Sequence, residues 1–140
     1  MRDMFGPEYV FTKEEYENGK ATGATDKTEG MKNMQTIKRI PDWRKKYPAF
    51  AWCAKQGEDW YLPAIKELKK FTLDDSIHDA VNRTLSQKNG DLLFNKGEDK
   101  RYWSSSDEDE ISAWSVDMYE DGTYSDGKRG SYYVRAVSAF

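Results

Sequence analysis

A single cysteine, Cys53, stands among 140 residues, so no disulfide forms within the chain. Its neighbours in Phe50-Ala51-Trp52-Cys53-Ala54 are apolar, which reads as a small core residue rather than a reactive thiol. The missing disulfide does not exclude export, because a domain of this length needs no staple. Histidine is equally scarce. His78 alone, predicted to point away from the apolar stripe of its helix, leaves a Ser-His-Asp arrangement without a usable base and zinc without ligands. No apolar run approaches the roughly 18 residues of a membrane span. The opening MRDMFGPEYVF lacks the charged-then-apolar order of an export signal, which is consistent with a domain of a longer secreted chain. A Gly-rich phosphate cradle is also missing.

Aromatic and charged side chains are abundant. Five Trp, nine Tyr and six Phe supply large apolar areas, so a small aromatic core is expected although 34% of residues are charged. One domain is the simplest division of the chain, and this length buries about two thirds of the surface exposed when unfolded. Net charge is −3 and unevenly placed: residues 102–140 hold eight acidic and three basic groups, residues 1–57 eight acidic and eleven basic. An acidic C-terminal part repels a phosphate backbone, which argues against nucleic acid as its partner.

In chain order, Glu8 to Thr12 fits an edge strand with Tyr9 and Phe11 on one side. Asn18 to Thr28, rich in Gly, Thr and Ala without periodicity, fits a loop. Met31, Met34, Ile37 and Ile40 recur at three-residue steps and predict a helix over Glu29 to Ile40, ended by Pro41. A second short helix is predicted from Pro48 to about Lys55, with Gly57 beyond its end. Trp60-Tyr61-Leu62 reads as a strand. Pro63 then starts a helix with Ala64, Ile65, Leu68 and Phe71 inward, and Glu67 at the edge of that stripe, solvated or paired with a cation. In the clearest helix, Asp74 to Gln87, Ile77, Ala80, Val81, Thr84 and Leu85 recur at helical spacing. Asp74 and Asp75 open it, Lys88 sits in its last turn and Gly90 closes it. Asp91 to Arg101 is a polar connection that tucks Leu92, Leu93 and Phe94 against the core.

Three apolar runs follow, around Tyr102-Trp103, Trp114-Val116-Met118 and Tyr133-Val134-Ala136-Val137. In Ala113 to Tyr119, Trp114, Val116 and Met118 alternate with Ser115, Asp117 and Tyr119, the pattern of a strand with one face buried and one wet. Asp121-Gly122 and Asp126-Gly127 supply the positive φ that a hairpin reversal needs. Helices first and strands last make an α+β class: one domain over 1–140, with 18–101 as helical scaffold and 102–140 as an antiparallel sheet. Arg135 lies between Val134 and Ala136, where an unpaired charge is costly. It is expected to be held by a carboxylate, Glu67 first, or by backbone carbonyls.

Asp59-Trp60-x-Leu62-Pro63-x-x-x-Glu67-Leu68, then Tyr102-Trp103-Ser104-Ser105-Ser106, Ala113-Trp114-x-Val116, a Gly-containing loop and Tyr133-Val134-Arg135-Ala136-Val137, resembles the bacterial DUF1566 family. That family is also described as the Legionella collagen-like protein C-terminal domain family. The likeness runs from about Asn18 to the end. It implies a C-type-lectin-like fold, helices packed on a small, mainly antiparallel sheet with long loops, and a scaffold that includes Trp60, Pro63, Glu67, Trp103, Trp114 and Arg135. The C-terminal pattern is also similar to the variable proteins of diversity-generating retroelements in phages and bacteria, in which a lectin-like frame displays hypervariable residues that bind a receptor or ligand. Mutation there acts on adenines, which implies a displayed, ligand-binding set of Ser115, Asp117, Tyr119, Asp121, Thr123, Tyr124, Ser125, Asp126, Arg129, Ser131 and Tyr132. Glu120 departs from it. The resemblance implies an extracellular, cell-surface or virion-associated setting and a protein receptor or glycan as partner; oligomerisation is left open.

Two readings of that set stand together. Asp, Ser, Gly, Thr and Tyr are what wet strands and turns use. Tyr119, Tyr124 and Tyr132, however, are large for indifferent turn positions, and Tyr with Ser, Gly and Asp is the composition of adaptable binding loops. Asp107-Glu108-Asp109-Glu110, and Glu120-Asp121 with Asp126, offer carboxylates without the alternating spacing of a calcium loop, so solvated acidic loops are expected and no metal or other cofactor. Formylglycine-generating enzymes share the implied fold but depend on a cysteine pair that this chain lacks, and no two carboxylates stand out for glycoside hydrolysis. The expectation is a non-enzymatic binding module whose recognition face is the outer side of 113–119 with Glu120 to Tyr132. The alternative is a structural or adhesion domain of a bacterial surface protein without a dedicated site.

Overall fold

A computed structural model describes residues 22–128 and 130–138 in full and 5–12 as backbone; residues 18–21 of the expected loop, the sides taken by Tyr9 and Phe11, Arg129, and Ala139-Phe140 lie outside the described residues. In order, the elements are β1 (Phe5–Thr12), α1 (Gly30–Lys38), α2 (Trp43–Lys46), α3 (Pro48–Lys55), β2 (Trp60–Tyr61), α4 (Ile65–Leu73), α5 (Asp75–Gln87), β3 (Arg101–Asp107), β4 (Ser112–Asp117), β5 (Gly122–Gly127) and β6 (Ser131–Ser138). This is the expected α+β order. The strands form one sheet ordered β1-β6-β3-β4-β5, with β2 also on β6, and every pairing is antiparallel except β3 with β6.

Because successive strand residues face opposite ways, Tyr102 and Trp103 serve two different cores. One face carries Trp103, Ala113, Val134 and Ala136 against Met34, Ile37, Trp43, Ala49, Phe50 and Cys53 of the first three helices. Cys53 is fully buried there, as its apolar setting predicts. The other face carries Tyr102, Val116, Met118 and Val137 against Ile65, Leu68 and Phe71 of α4 and Leu85 of α5. The sheet is thus covered on both sides by short helices that tertiary packing must hold.

Several elements differ from expectation. Residues 122–127 form β5 rather than loop: Gly-Thr-Tyr-Ser-Asp-Gly has no strand pattern of its own, but it pairs with β4 without a shift from Ser112↔Gly127 to Asp117↔Gly122. The positive φ of the reversal falls on Asp121 (φ 55), not on Gly122, since Asp tolerates the left-handed region. α1 stops at Lys38 and α2, a single turn, follows Asp42 at φ 59. Pro63 lies one residue outside the Ala64 cap of α4 rather than in its first turn.

Helix α5 opens as predicted, with the Asp74 carboxylate accepting from the amides of Ser76 (3.1 Å) and Ile77 (3.2 Å). Its inward face, however, is turned by about one position. Ala80 is exposed, whereas His78 is only 5% exposed and donates through Nε2 to the Phe94 carbonyl at 2.8 Å. Asn82 joins it, donating to the Leu93 carbonyl (3.1 Å) and accepting from the Leu93 amide (2.7 Å). The physical reason is the 91–95 segment, which lies along α5 without a strand partner and so takes its hydrogen bonds from polar side chains of the helix. Leu93 is buried by this arrangement; Leu92 is half exposed.

The two sequence motifs meet at a joint. Glu67 Oε1 accepts from the Gly30 amide (2.8 Å) and the Ala64 amide (2.9 Å), and Oε2 accepts from the Tyr61 hydroxyl (3.0 Å). One carboxylate therefore accepts an amide at the start of each of two helices. It is spent there and does not pair with Arg135, which donates instead to the Asp91 carbonyl and stands opposite Glu8 in the β1–β6 register. A Cβ on Gly30 would lie 2.5 Å from the Leu62 carbonyl oxygen, so only glycine fits the joint. The three serines of β3 are all buried. Ser104 donates to the Trp114 carbonyl (2.7 Å), Ser105 accepts from the Asn33 amide group (2.9 Å), and Ser106 donates to the Asp26 carbonyl (2.7 Å) while accepting from the Ile65 amide (3.0 Å).

Candidate functional site

Among the described residues, helices cover the first sheet face over Trp103, Ala113, Val134 and Ala136. Beyond them the same face continues through Arg101, Ser115, Asp117, Gly122, Tyr124 and Asp126, because cross-strand partners share a face. Arg101 is its centre. One edge of the guanidinium meets Asp117 Oδ2 at 2.8 Å and the other meets Asp126 Oδ1 at 2.8 Å, while Ser115 Oγ donates to the second Asp126 oxygen. The planar fork suits two carboxylates better than an ammonium would. Partial burial works against the charge, but Asp126 and then Asp117 outweigh it, so the pKa of Arg101 is raised above the ordinary guanidinium value.

The Arg101 guanidinium also lies between two rings, 5.8 Å from the centroid of Tyr124 and 5.7 Å from that of Tyr132. Tyr132 in turn packs 4.8 Å from Trp103, whose indole donates to the Gly130 carbonyl at 3.2 Å. A Cβ on Gly130 would come within 3.1 Å of the Tyr132 ring, so this glycine makes room for the stack. The result is a row, Trp103, Tyr132, Arg101, Tyr124, running from the core to a ring that keeps 40% exposure.

The expected ligand-binding set divides. Ser115 and Asp117 are not displayed: they are 0% and 3% exposed, because the Arg101 pairs draw these polar alternants of β4 under Tyr124 and Tyr132. Asp126 is half-buried in the same cluster. Thr123 and Ser125 lie on the opposite sheet face from Tyr124, as the β4–β5 register requires. Tyr119, 63% exposed, and Asp121 occupy the hairpin turn, which Asp117 Oδ1 holds by accepting from the amides of Tyr119 (2.9 Å) and Glu120 (3.3 Å). Ser131 is exposed at the start of β6, and Arg129 lies outside the described residues. Arg101 itself was missed by sequence reasoning, which ended the polar connection on it. A signal existed, since it sits two residues before Trp103 and so shares its face.

Among the frame residues, Trp103 is fully buried and Trp114 half-buried, with Lys27 Nζ 5.0 Å from its ring centroid. The acidic run divides as well. Glu108, Asp109 and Glu110 are exposed, but Asp107 is buried, 3.2 Å from Lys128 Nζ and accepting from the Thr22 hydroxyl at 2.5 Å. Among the described residues no group of three or more His, Cys, Asp or Glu side chains is placed to hold a metal ion, and no helix is long and apolar enough to cross a membrane. A separate cleft of ≈350 Å³ opens between α4, α5 and the end of β6, lined by Phe71, Ile77, Val81 and Val137 with Tyr61 and Lys70 at its rim. Burial, and then the Glu67 carboxylate, push the Tyr61 phenol well above its ordinary pKa.

Comparison with known proteins agrees with this architecture. A crystal structure of a fimbrial protein from Bacteroides ovatus ATCC 8483 superposes with a TM-score of 0.60 at 19% identity, over 79% of this chain and 24% of that one. The chain thus spans about a quarter of that structure, and at this identity the likeness is one of fold. No curated protein matches the sequence. The Lcl C-terminal domain family matches residues 14–138, which takes in the Glu67 joint, the three serines and the whole Arg101 face. By that match the chain belongs to the Lcl C-terminal domain family.

Proposed function

We propose that this domain is a non-enzymatic recognition module of a bacterial surface protein, binding a protein receptor or a glycan through the Arg101 face, on a fold of C-type-lectin-like kind. The observation that carries this reading is the placement of Tyr124 and Tyr132 on either side of a guanidinium already paired with two carboxylates. Such a surface offers aromatic area and fixed acceptors at low entropy cost, its one guanidinium and two carboxylates summing to −1. The family match and the likeness to a fimbrial protein support a surface or adhesion setting. A finer reading, display of diversified residues as in retroelement variable proteins, is supported by Tyr124, Ser125 and Ser131, exposed on strands, and by Tyr119 and Asp121, exposed in the hairpin turn. Ser115 and Asp117 fall outside such a set because they are buried.

Tyr119→Ala and Tyr124→Ala test the proposal against arrays of glycans and cell-surface proteins. Binding lost at an unchanged melting temperature supports recognition. Binding untouched by both substitutions, or lost only in step with melting, supports the second reading: a structural domain within a longer assembly. The small share of the fimbrial protein that this chain spans favours that alternative.

A further inference from the structure

The sheet ends in two strands, β1 and β5, and they are not alike as edges. β1 contains Pro7 and a register shift between Phe5 and Glu8, both of which blunt an edge against pairing. Neither device occurs in β5: Gly122–Gly127 has no proline and no lysine, and pairs with β4 through six consecutive residues without a shift. The Lys128 amide donates to the Ile111 carbonyl at 2.8 Å, which fixes the phase of the ladder. Counting back by twos, Asp126, Tyr124 and Gly122 turn their main chain toward β4, so Thr123 and Ser125 direct N–H and C=O away from the sheet.

We propose that β5 pairs antiparallel with β5 of a second copy of this chain, centred on Ser125. In that register Thr123 falls opposite Gly127 of the copy, and Tyr124 falls opposite Asp126 on the same face. The strand is therefore complementary to itself. Its one acid meets a phenol rather than another acid, and that acid is already paired with Arg101 at 2.8 Å. The pairing joins two Arg101 faces into one continuous surface, and it is independent of what that surface binds.

Sedimentation of the full chain is expected to show a species of twice 16.3 kDa that grows with concentration. Ser125→Pro removes only an outward N–H and is expected to give a monomer with an unchanged far-ultraviolet spectrum. Ser125→Cys places two thiols about the two-fold axis, where Cα atoms of a hydrogen-bonded antiparallel pair lie about 5.5 Å apart, within disulfide reach. Mild oxidation is expected to give a covalent dimer, and Thr123→Cys none, since the only native thiol, Cys53, is buried. A monomer at every concentration up to about 1 mM, a dimer that survives Ser125→Pro, or equal cross-linking of the two cysteine variants overturns the proposal. The first outcome is also what an edge reserved for another protein's strand produces.

Discussion

Arg101 shows how one side chain can organise the surface around it. Replacing it with Gln leaves Asp117 and Asp126 facing each other across β4 and β5 without a cation. Stability is expected to fall by about 2 kcal/mol in urea titration, with part of the loss recovered when Asp126→Asn is added. Tyr132→Ala, which removes a ring stacked on buried Trp103, is expected to cost about 2 kcal/mol, whereas exposed Tyr124→Ala is expected to cost under about 0.5 kcal/mol. The alternation of Ser115 and Asp117 with Trp114 and Val116 was legible, and so was their polarity. Their burial was not, because it depends on a guanidinium from a strand whose first residue looked like the end of a loop. Tyr61 gives a pH signature. Its folded pKa is raised above the unfolded value of about 10, so the stability it contributes is complete below that pH and is lost as the pH rises above it. Denaturant midpoints are expected to fall above about pH 10 and to fall less in Tyr61→Phe.

Elements with a period of their own were readable; elements formed by a neighbour were not. α3 spans the predicted Pro48–Lys55 because proline, apolar spacing and the following glycine all agree. β5 has none of these signals and exists because β4 offers it a ladder. α5 lies between the two cases. Its length and its Asp74 cap were plain, but which polar residues face inward depended on the 91–95 segment lying beside it. Asn82→Ala is expected to free that segment, raising amide hydrogen exchange at Leu93 well above that of the helix itself while leaving far-ultraviolet ellipticity nearly unchanged. The Asp74 carboxylate is held below its ordinary pKa, chiefly by the Ser76 hydroxyl. Its contribution to α5 is therefore present above about pH 4 and fades as the pH falls through the folded value.

At the scale of the molecule, β3 belongs to both cores through Tyr102 and Trp103, and β6 does so through Val134 and Val137. Neither core can open alone without breaking a strand the other needs, so the tryptophan signal and the far-ultraviolet signal are expected to lose structure in one coincident transition. The family motifs fall on the joint and not on the open face: Glu67 and the three serines tie helices to sheet. That is why the α+β order could be read from them while the Arg101 face could not. Gly30→Ala, which forces a carbon against the Leu62 carbonyl oxygen, is expected to cost about 3 kcal/mol. The hairpin at Asp117 has a further consequence. Its carboxylate grips the bend by main-chain amides alone, so the chemistry carried at positions 119 and 120 is decoupled from the shape that carries it. Almost any non-proline pair installed there inherits the same geometry, which makes this tip a place where side chains can be exchanged without disturbing the strands beneath.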